Sequence, residues 1–270
     1  MLEQLGTLGP VAFLDRPGTT GASRVVHVRD SRGGSWYAKR LTKRWLWERE
    51  TSAYRLWQDV PGVPVPRAVC SETQCLLLPE VPGRQPRGQS RRVLRTAGRL
   101  LRALHAEPPP EEWASSWRDL VPRDVEKRLA GLSRMGVIVD SRMVTRYASQ
   151  LVGLDVPEVA SHGDFQPHNW RLHRGELFVF DFARAGRRPA AFDLGRLMYA
   201  ACWRQTGAFL ALVKGYGRQP SPAECQFLTA MLPWRAVVAM HMGGLHNRPE
   251  MVEHGRRVLE AVVSGDHWSM

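Results

Sequence analysis

The 270-residue sequence contains few cysteines and no long hydrophobic run. Its cysteines form neither CxxC pairs nor the Cys/His spacing of a zinc site, so we expect reduced thiols and no disulfide framework. No window holds eighteen consecutive apolar residues, which argues against a membrane-spanning helix or a membrane partner. The N-terminus has no basic start followed by an apolar run, so we expect no signal peptide and a cytoplasmic location. The cysteines are Cys70, Cys75, Cys202 and Cys225.

Acidic residues are outnumbered: the sequence has 26 Asp and Glu residues and 38 Lys and Arg residues, so the formal net charge is +12. Residues 84–106 contain seven arginines and no acidic residue. Such a run is either the solvated face of a helix or a surface that attracts an anion, such as nucleotide phosphates or an acidic peptide. No nucleic-acid-binding motif accompanies it, so nucleic acid is the least favoured partner. The arginines are Arg84, Arg87, Arg91, Arg92, Arg95, Arg99 and Arg102.

Apolar and polar residues alternate through most of the first eighty positions, whereas helical periodicity prevails after Gly83. The sequence therefore predicts an α+β protein with two lobes. Residues 1–83 would form a small antiparallel-sheet N-lobe with one helix, and residues 84–270 a larger, mainly helical C-lobe. A small-molecule site is expected in the cleft between them. The predicted strands are 11–14, 24–29, 35–39, 68–70 and 74–78; the predicted helices include 43–59, 90–106, 194–203, 209–216, 222–246 and 249–264, with Ser141 as one helix cap.

The segment SHGDFQPHNWRLHRGELFVFDFA at 161–183 combines an Asp, an Asn and a second Asp. Asp164 and Asn169 share a short loop with four residues between them. A hairpin over 169–182, turning at Arg174-Gly175, is predicted to return Asp181 beside that loop. Asp or Asn in a loop usually serves a turn, but this spacing indicates a phosphoryl-transfer site. We expect Asn169 and Asp181 to hold Mg²⁺, which prefers oxygen ligands, and Asp164 to accept a proton from a hydroxyl.

The N-terminal third supplies candidates for the nucleotide half of such a site. Lys39 ends a predicted strand, and Glu50 follows eleven residues later in the predicted helix. An ion pair between them would hold the ammonium against the α and β phosphates. Glu48 is the rival partner, on nearly the opposite helical face. Glu50 is preferred because Tyr54 and Trp57 would share its buried side.

Two further segments are predicted to contact the nucleotide. The turn over 17–23 is either an ordinary hairpin loop or a phosphate cap, built from backbone N–H groups and three hydroxyls. The segment 79–81 would offer backbone groups to the adenine edge, with Leu78 behind it. The residues concerned are Thr19, Thr20 and Ser23 in the turn, and Pro79, Glu80 and Val81 in the second segment.

These motifs, in this order, resemble the aminoglycoside phosphotransferase and choline kinase-like family of small-molecule kinases. The matching motifs are YAK, RETSAY, LLLPEVPG, ALH, SHGDFQPHN, VFDFA and FDLGRL, spread over about two thirds of the chain. The resemblance implies a bilobal protein kinase-like fold and ATP-dependent transfer of the γ-phosphoryl group to a hydroxyl, with Mg²⁺.

The resemblance also implies a role for each matching residue. Asp164 looks like the catalytic base, Asn169 and Asp181 like the Mg²⁺ ligands, and Lys39 like the phosphate clamp with Glu50 as its partner. His162 and Asp193 would be structural. His168 stands where the family often has Gly, and we expect a solvated loop residue there.

The acceptor is the least determined part of the prediction. Residues 200–270 contain only five acidic residues, which argues against a polycationic aminoglycoside. The Trp and Met residues of that region would suit a less polar acceptor or simply form helix core. We therefore predict an O-phosphotransferase for a hydroxylated small molecule, an antibiotic or a metabolite. The alternatives are a kinase of Ser or Thr in an acidic peptide natural-product precursor and a nucleotide-binding pseudokinase; the complete set of catalytic residues favours an enzyme.

Overall fold

The computed structural model describes residues 11–13, 18–19, 23–86, 90–114, 117–202 and 205–266. Its backbone contacts divide the chain into two compact units. The first unit consists of Met1–Gly88 together with His162–Gly186, and the second of Gln89–Ser161 together with Arg187–Met270. The segment that carries Asp164, Asn169 and Asp181 therefore belongs to the same unit as Lys39 and Glu50.

An antiparallel sheet of six strands forms the main part of the first unit. Its strands follow the order β1-β3-β4-β6-β5, and β2 pairs with β3 beside β1. The helix α1 lies between β4 and β5 in the chain. The strands are β1 (Val11–Phe13), β2 (Gly18–Thr19), β3 (Ser23–Asp30), β4 (Ser35–Leu41), β5 (Ala68–Cys70) and β6 (Cys75–Pro79), and α1 spans Arg44–Leu56.

Successive residues of these strands point to opposite faces of the sheet, so Lys39 and the hydrophobic residues next to it in sequence lie on different faces. Val26, Ala38 and Leu77 are opposite one another on β3, β4 and β6, and all three are buried. The next row of the ladder has Lys39 in the middle, with Val25 on one side and Leu76 on the other. Because successive side chains point to opposite faces of a sheet, Lys39 projects from the face that is opposite to Ala38.

The other candidate residues flank a hairpin of the first unit: Asp164 and Asn169 precede it, and Asp181 follows it. Strands β8 (Trp170–His173) and β9 (Glu176–Val179) pair antiparallel as predicted. Their turn has positive φ at Arg174 (49°) and Gly175 (88°), as a two-residue hairpin loop requires. The strand β9 ends three residues earlier than predicted, because Asp181 has a φ of 69° that an extended strand does not allow.

The chain after β6 is tied to this hairpin by backbone hydrogen bonds. The N–H of Arg84 donates to the carbonyl of Leu172 (3.2 Å), and the N–H of Leu172 donates back to Arg84 (2.8 Å). Gly83 has a φ of 94°, and a Cβ there would lie 2.2 Å from the Leu172 carbonyl oxygen. Only glycine fits this position, because any side chain would clash with the Leu172 carbonyl. This explains the glycine at the end of the sequence PEVPG.

The described part of the second unit contains seven α-helices, a π-helical turn and two short strands, and the second strand begins at Gly186 of the first unit. The strands β7 and β10 pair with each other and were not predicted. The helix predicted over 194–203 begins four residues earlier and continues as a π-helical turn over Met198–Cys202. The elements are α2 (Arg91–Ala106), α3 (Trp117–Arg134), α4 (Ser141–Gly153), β7 (Glu158–Ser161), β10 (Gly186–Pro189), α5 (Ala190–Leu197), α6 (Thr206–Tyr216), α7 (Pro222–Leu245) and α8 (Pro249–Ser264).

The helix caps correct one prediction. Ser90 caps α2 by accepting from the N–H of Val93 (3.3 Å), and Ser221 begins α7 with a capping box to Glu224. Ser141, however, is not a cap. The carboxylate of Asp140 accepts from the N–H of Met143 instead (3.0 Å), since a carboxylate one residue earlier also favours the positive end of the helix. No helix in the described part of the chain has both the length and the apolarity to cross a membrane.

A buried hydrogen-bonded group joins three helices of the second unit. His105 of α2 lies 3.1 Å from a carboxylate oxygen of Asp193 in α5 and 2.9 Å from the hydroxyl of Tyr216 in α6. All three side chains are buried, so their polar atoms need these partners. This arrangement supports a structural role for Asp193.

Close approach of α2 and α6 gives a first testable prediction. A Cβ on Gly98 would lie 2.2 Å from the backbone carbonyl oxygen of Leu212, which cannot move away as a flexible side chain would. We expect Gly98→Ala to lower the free energy of unfolding by about 1–3 kcal/mol, measured by urea denaturation.

Gly153 is the matched control for this change. It is the last residue of α4, and a Cβ there would meet nothing within 4 Å. Gly153→Ala should leave the free energy of unfolding unchanged or raise it by up to about 1 kcal/mol. Equal effects of the two substitutions would contradict the packing described for α2 and α6.

Candidate active site

A buried ion pair joins β4 to α1. Nζ of Lys39 donates to Oε1 of Glu50 at 2.8 Å, and Glu50 is fully buried. Glu50 lies on the buried face of α1, together with Tyr54. Glu48 lies on the exposed face, where it pairs with Arg44 at 2.8 Å. The helical face thus decides between the two glutamates, and Glu50 is the partner of Lys39.

The same ammonium also contacts Asp181. Nζ of Lys39 donates to Oδ1 of Asp181 at 2.9 Å, so that it bridges two carboxylates from distant parts of the sequence. Burial alone would lower the pKa of Lys39, but attraction to Glu50 and Asp181 outweighs it and the pKa lies above its ordinary value. Burial likewise opposes ionisation of Asp181, yet the Lys39 ammonium lowers its pKa below the ordinary value. Both groups are therefore charged at neutral pH.

The backbone around Asp181 explains how its carboxylate reaches Lys39. Asp181 has a left-handed φ of 69°, a conformation that Asp tolerates better than most residues. The next residue, Phe182, is buried against Tyr54 and Trp57 of the α1 region, at ring distances of 4.8 and 5.0 Å. Anchoring of Phe182 in this aromatic cluster holds the turn, and the carboxylate of Asp181 remains half-exposed beside Lys39.

Asp164 is held by its own loop. Its backbone N–H donates to Nδ1 of His162 (3.2 Å), and its backbone carbonyl accepts from the side-chain amide of Asn169 (3.0 Å). The carboxylate accepts from the side-chain amide of Gln166 at 2.9 Å. Phe165 is buried next to Trp170, which fixes the loop from the inside. The carboxylate of Asp164 is therefore oriented by neighbours within five residues.

Asn169 links this loop to the segment that carries Asp181. Phe180 directly precedes Asp181, and its N–H donates to the backbone carbonyl of Asn169 at 3.2 Å. Because the amide nitrogen of Asn169 is used by Asp164, its amide oxygen is the atom left to bind a cation. An amide oxygen and a carboxylate from adjoining segments form a donor set that fits Mg²⁺. Within the described residues, no three His, Cys, Asp or Glu side chains cluster as a metal site.

The predicted phosphate turn lies mostly outside the described residues. Thr20 is outside them, and Thr19 is described only as part of β2, where it pairs with Arg24. Gly18 and Thr19 thus belong to a strand, whereas the sequence placed them in the turn. Ser23 begins β3 opposite Leu41 and is buried.

The segment predicted to contact adenine begins at the end of β6. Pro79 is opposite Trp36, and the N–H of Glu80 donates to the carbonyl of Ser35 at 2.9 Å. The sheet therefore already uses the N–H of Glu80, and proline has none. A contact from this segment to a nucleotide base would have to use carbonyl groups or the N–H of Val81.

Sequence reasoning missed two contacts of the site. The first is the hydrogen bond from Gln166 to Asp164, whose only signal is a polar residue two positions after the candidate base. The second is the stacking of His27 on Tyr37, with ring centroids 4.4 Å apart. Tyr37 precedes Lys39 by two residues and so lies on the same face of the sheet.

His168 is exposed, as expected, yet it lies near the candidate base. Its Nε2 is 3.6 Å from Oδ2 of Asp164. The loop therefore brings a polar side chain to each oxygen of Asp164, with Gln166 at Oδ1 and His168 at Oδ2.

Comparison with protein families identifies the chain. The model described as the phosphotransferase enzyme family (APH) matches residues 16–228, which is most of the sequence. The chain belongs to the phosphotransferase enzyme family. The resemblance inferred from the motifs and the predicted enzyme class, a phosphotransferase, are thereby confirmed. A comparison with curated proteins found no match.

Solved kinase structures share the fold of this phosphotransferase. A choline/ethanolamine kinase family protein from Mesorhizobium loti is 17% identical, with a TM-score of 0.66 over 98% of this chain and 90% of that protein. The gentamicin complex of APH(2")-IIa is 14% identical, with a TM-score of 0.64 over 96% and 93%. Amicoumacin kinase hAmiN, in complex with AMP-PNP, Ca²⁺ and Ami, is 16% identical, with a TM-score of 0.65 over 94% and 88%. At these identities the likeness concerns the fold alone. It confirms the predicted kinase-like class, with a small antiparallel-sheet N-terminal part and a larger helical part.

The two glutamates of α1 provide a test of the buried ion pair. Glu50→Gln removes a charge that the buried Lys39 ammonium needs, so we expect the free energy of unfolding to fall by about 1–3 kcal/mol in urea denaturation. Glu48→Gln breaks only an exposed pair on the same helix and should change it by less than about 0.5 kcal/mol. The arrangement is contradicted if the Glu48 variant loses as much stability as the Glu50 variant.

Proposed function

We propose that this phosphotransferase moves the γ-phosphoryl group of ATP to a hydroxyl group of a small molecule, with Asp164 as the base. The observation that carries the proposal is the bridging of Glu50 and Asp181 by Lys39 in the unit that also contains Asp164 and Asn169. A lysine held by carboxylates, an acidic residue in a loop and two further oxygen ligands are the parts that kinase-type phosphoryl transfer needs.

The nucleotide half of the proposal rests on charge. Glu50 keeps the Lys39 ammonium in place, so that the ammonium can contact the α and β phosphates without losing its buried partner. The amide oxygen of Asn169 and the carboxylate of Asp181 would hold Mg²⁺, which neutralises phosphate charge when bound. The AMP-PNP and Ca²⁺ in the amicoumacin kinase complex support a nucleotide and a divalent cation as ligands. The stacked rings of Tyr37 and His27 would offer an aromatic surface to the base of the nucleotide.

Asp164 would act on the acceptor. As the acceptor hydroxyl oxygen attacks the γ-phosphorus, its proton passes to the Asp164 carboxylate and the bond from the γ-phosphorus to the bridging oxygen breaks. ADP leaves with the electron pair of that bond. The backbone hydrogen bonds of Asp164 to His162 and Asn169 hold the loop before the acceptor binds, and a fixed base favours efficient proton transfer.

An acidic peptide remains the second candidate acceptor. The arginines of α2 support it, because Arg91, Arg92, Arg95, Arg99 and Arg102 are all exposed in the structure. A row of exposed cations raises the local concentration of anionic solutes. Both candidates require turnover of ATP, whereas a pseudokinase would bind the nucleotide without consuming it.

A panel of acceptors in an Mg²⁺-dependent ATP consumption assay tests the proposal. The panel contains alcohols, aminocyclitols, macrolides, nucleosides and Ser-containing acidic peptides. Stimulation of ADP formation by a small hydroxylated compound supports the first candidate, and stimulation by the peptides alone supports the second. Nucleotide binding without turnover for any acceptor or for water would refute the enzymatic proposal.

The role of Asp164 predicts a specific kinetic defect. Asp164→Asn should lower kcat by about 10²- to 10⁴-fold, because the amide no longer accepts the proton, while nucleotide affinity measured by calorimetry stays nearly the same. Asp59→Asn, an exposed change in the same unit, is the control and should leave kcat unchanged. Equal turnover of the Asp164 variant and the wild type would refute the role of base.

The role of Asp181 as a metal ligand predicts a different defect, a weaker effect of Mg²⁺ on nucleotide affinity. In the wild type, Mg²⁺ should tighten nucleotide binding. In Asp181→Asn this tightening should fall by about tenfold or more, because the neutral amide is a weaker metal ligand. Nucleotide affinity measured in EDTA serves as the control and should be similar in both proteins. An unchanged Mg²⁺ effect would remove Asp181 from the set of ligands.

A further inference from the structure

The two oxygens of the Asp164 carboxylate have different surroundings. Oδ1 accepts a hydrogen bond of 2.9 Å from the side-chain amide of Gln166. Oδ2 lies on the side of His168, whose Nε2 is 3.6 Å away and whose side chain is exposed. An ionised carboxylate only accepts hydrogen bonds, so the amide of Gln166 must present its nitrogen to Asp164.

The backbone of Gln166 is fixed on both sides of this contact. Its φ and ψ of −138° and 156° are extended, as expected for a residue that precedes proline, here Pro167. Its carbonyl accepts from the N–H of Asn169 at 2.9 Å, which begins the short 3₁₀ turn Pro167–Asn169. The side chain of Asn169 in turn donates to the carbonyl of Asp164. Gln166 therefore reaches Asp164 from a rigid position, so its hydrogen bond restricts rotation of the carboxylate.

We propose that Gln166 is a positioning residue that holds Oδ1 of Asp164 and so orients the carboxylate that accepts the proton of the acceptor hydroxyl. This inference rests on the proposed role of Asp164 as the base. Gln166 itself touches neither the nucleotide nor the reacting atoms in this scheme. It acts through the orientation of Asp164.

Two substitutions of similar size separate this role from a structural one. Gln166→Met keeps the length of the side chain but removes the hydrogen-bond donor. Gln166→Glu keeps the shape and places an acceptor against the carboxylate of Asp164. If the donor matters, kcat falls in both variants, by about 10- to 100-fold, and falls more in the Glu variant. If only the shape matters, the Glu variant resembles the wild type.

The kinetic readout must also separate orientation from binding. We expect kcat to fall while KM for the nucleotide, its calorimetric affinity and the midpoint of urea unfolding remain close to those of the wild type. A variant that loses stability or nucleotide affinity in proportion to kcat would indicate a structural role and overturn the proposal. Water serves as the acceptor in these assays if no organic acceptor is found.

Crystal structures provide a readout that does not depend on turnover. In the wild type, the Gln166 amide should lie within hydrogen-bond distance of Asp164. In Gln166→Met, the carboxylate of Asp164 should rotate or take more than one orientation. An unchanged single orientation in the Met variant overturns the positioning role, even if the wild type is active. If the wild type shows no turnover at all, the proposed function fails, and the two crystal structures still decide whether Gln166 orients Asp164.

Discussion

The contact of one lysine ammonium with two carboxylates is the interaction on which the site depends. Lys39 is buried on the sheet, and its charge is tolerable there only because Glu50 and Asp181 accept hydrogen bonds of 2.8 and 2.9 Å. The bridge connects β4, α1 and the segment after β9. With Asp164 nearby, three carboxylates exceed the one ammonium in charge. One ammonium does not neutralise this negative charge, and a divalent cation would neutralise the remainder.

Buried aromatic residues hold the acidic residues in place. Asp164 and Asp181 are each followed by a buried phenylalanine, Phe165 and Phe182, and both rings pack against the buried His162, at 5.8 and 4.9 Å. The two functional segments are thus joined through one histidine. The buried His162 ring thus packs against both functional segments, and the packing of Phe182 supports the left-handed turn at Asp181. Hydrophobic contacts of the two phenylalanines fix the backbone, and the backbone in turn determines the positions of the Asp164 and Asp181 side chains.

Local patterns predicted most of the fold and part of the site. Alternation gave the main strands, and the helical face of Tyr54 and Trp57 favoured Glu50 over Glu48, the partner that Lys39 has in the structure. The strands β7 and β10 escaped prediction because four residues carry little periodicity and their pairing is long-range. The φ of Asp181 and the hydrogen bond from Gln166 escaped it too, since both depend on how the loop packs. The acceptor, the metal and the contacts of the turn over 17–23 stay predictions.

The most direct test of the central claim is a crystal structure with Mn²⁺ and a non-hydrolysable ATP analogue, in which anomalous scattering locates the metal. The account predicts a metal about 2.1 Å from the amide oxygen of Asn169 and from the carboxylate of Asp181, the distance typical of Mg²⁺-like ions. Lys39 should keep its contact with Glu50 and lie against the phosphates. A metal held elsewhere, with Asp181 still bonded only to Lys39, would contradict the account.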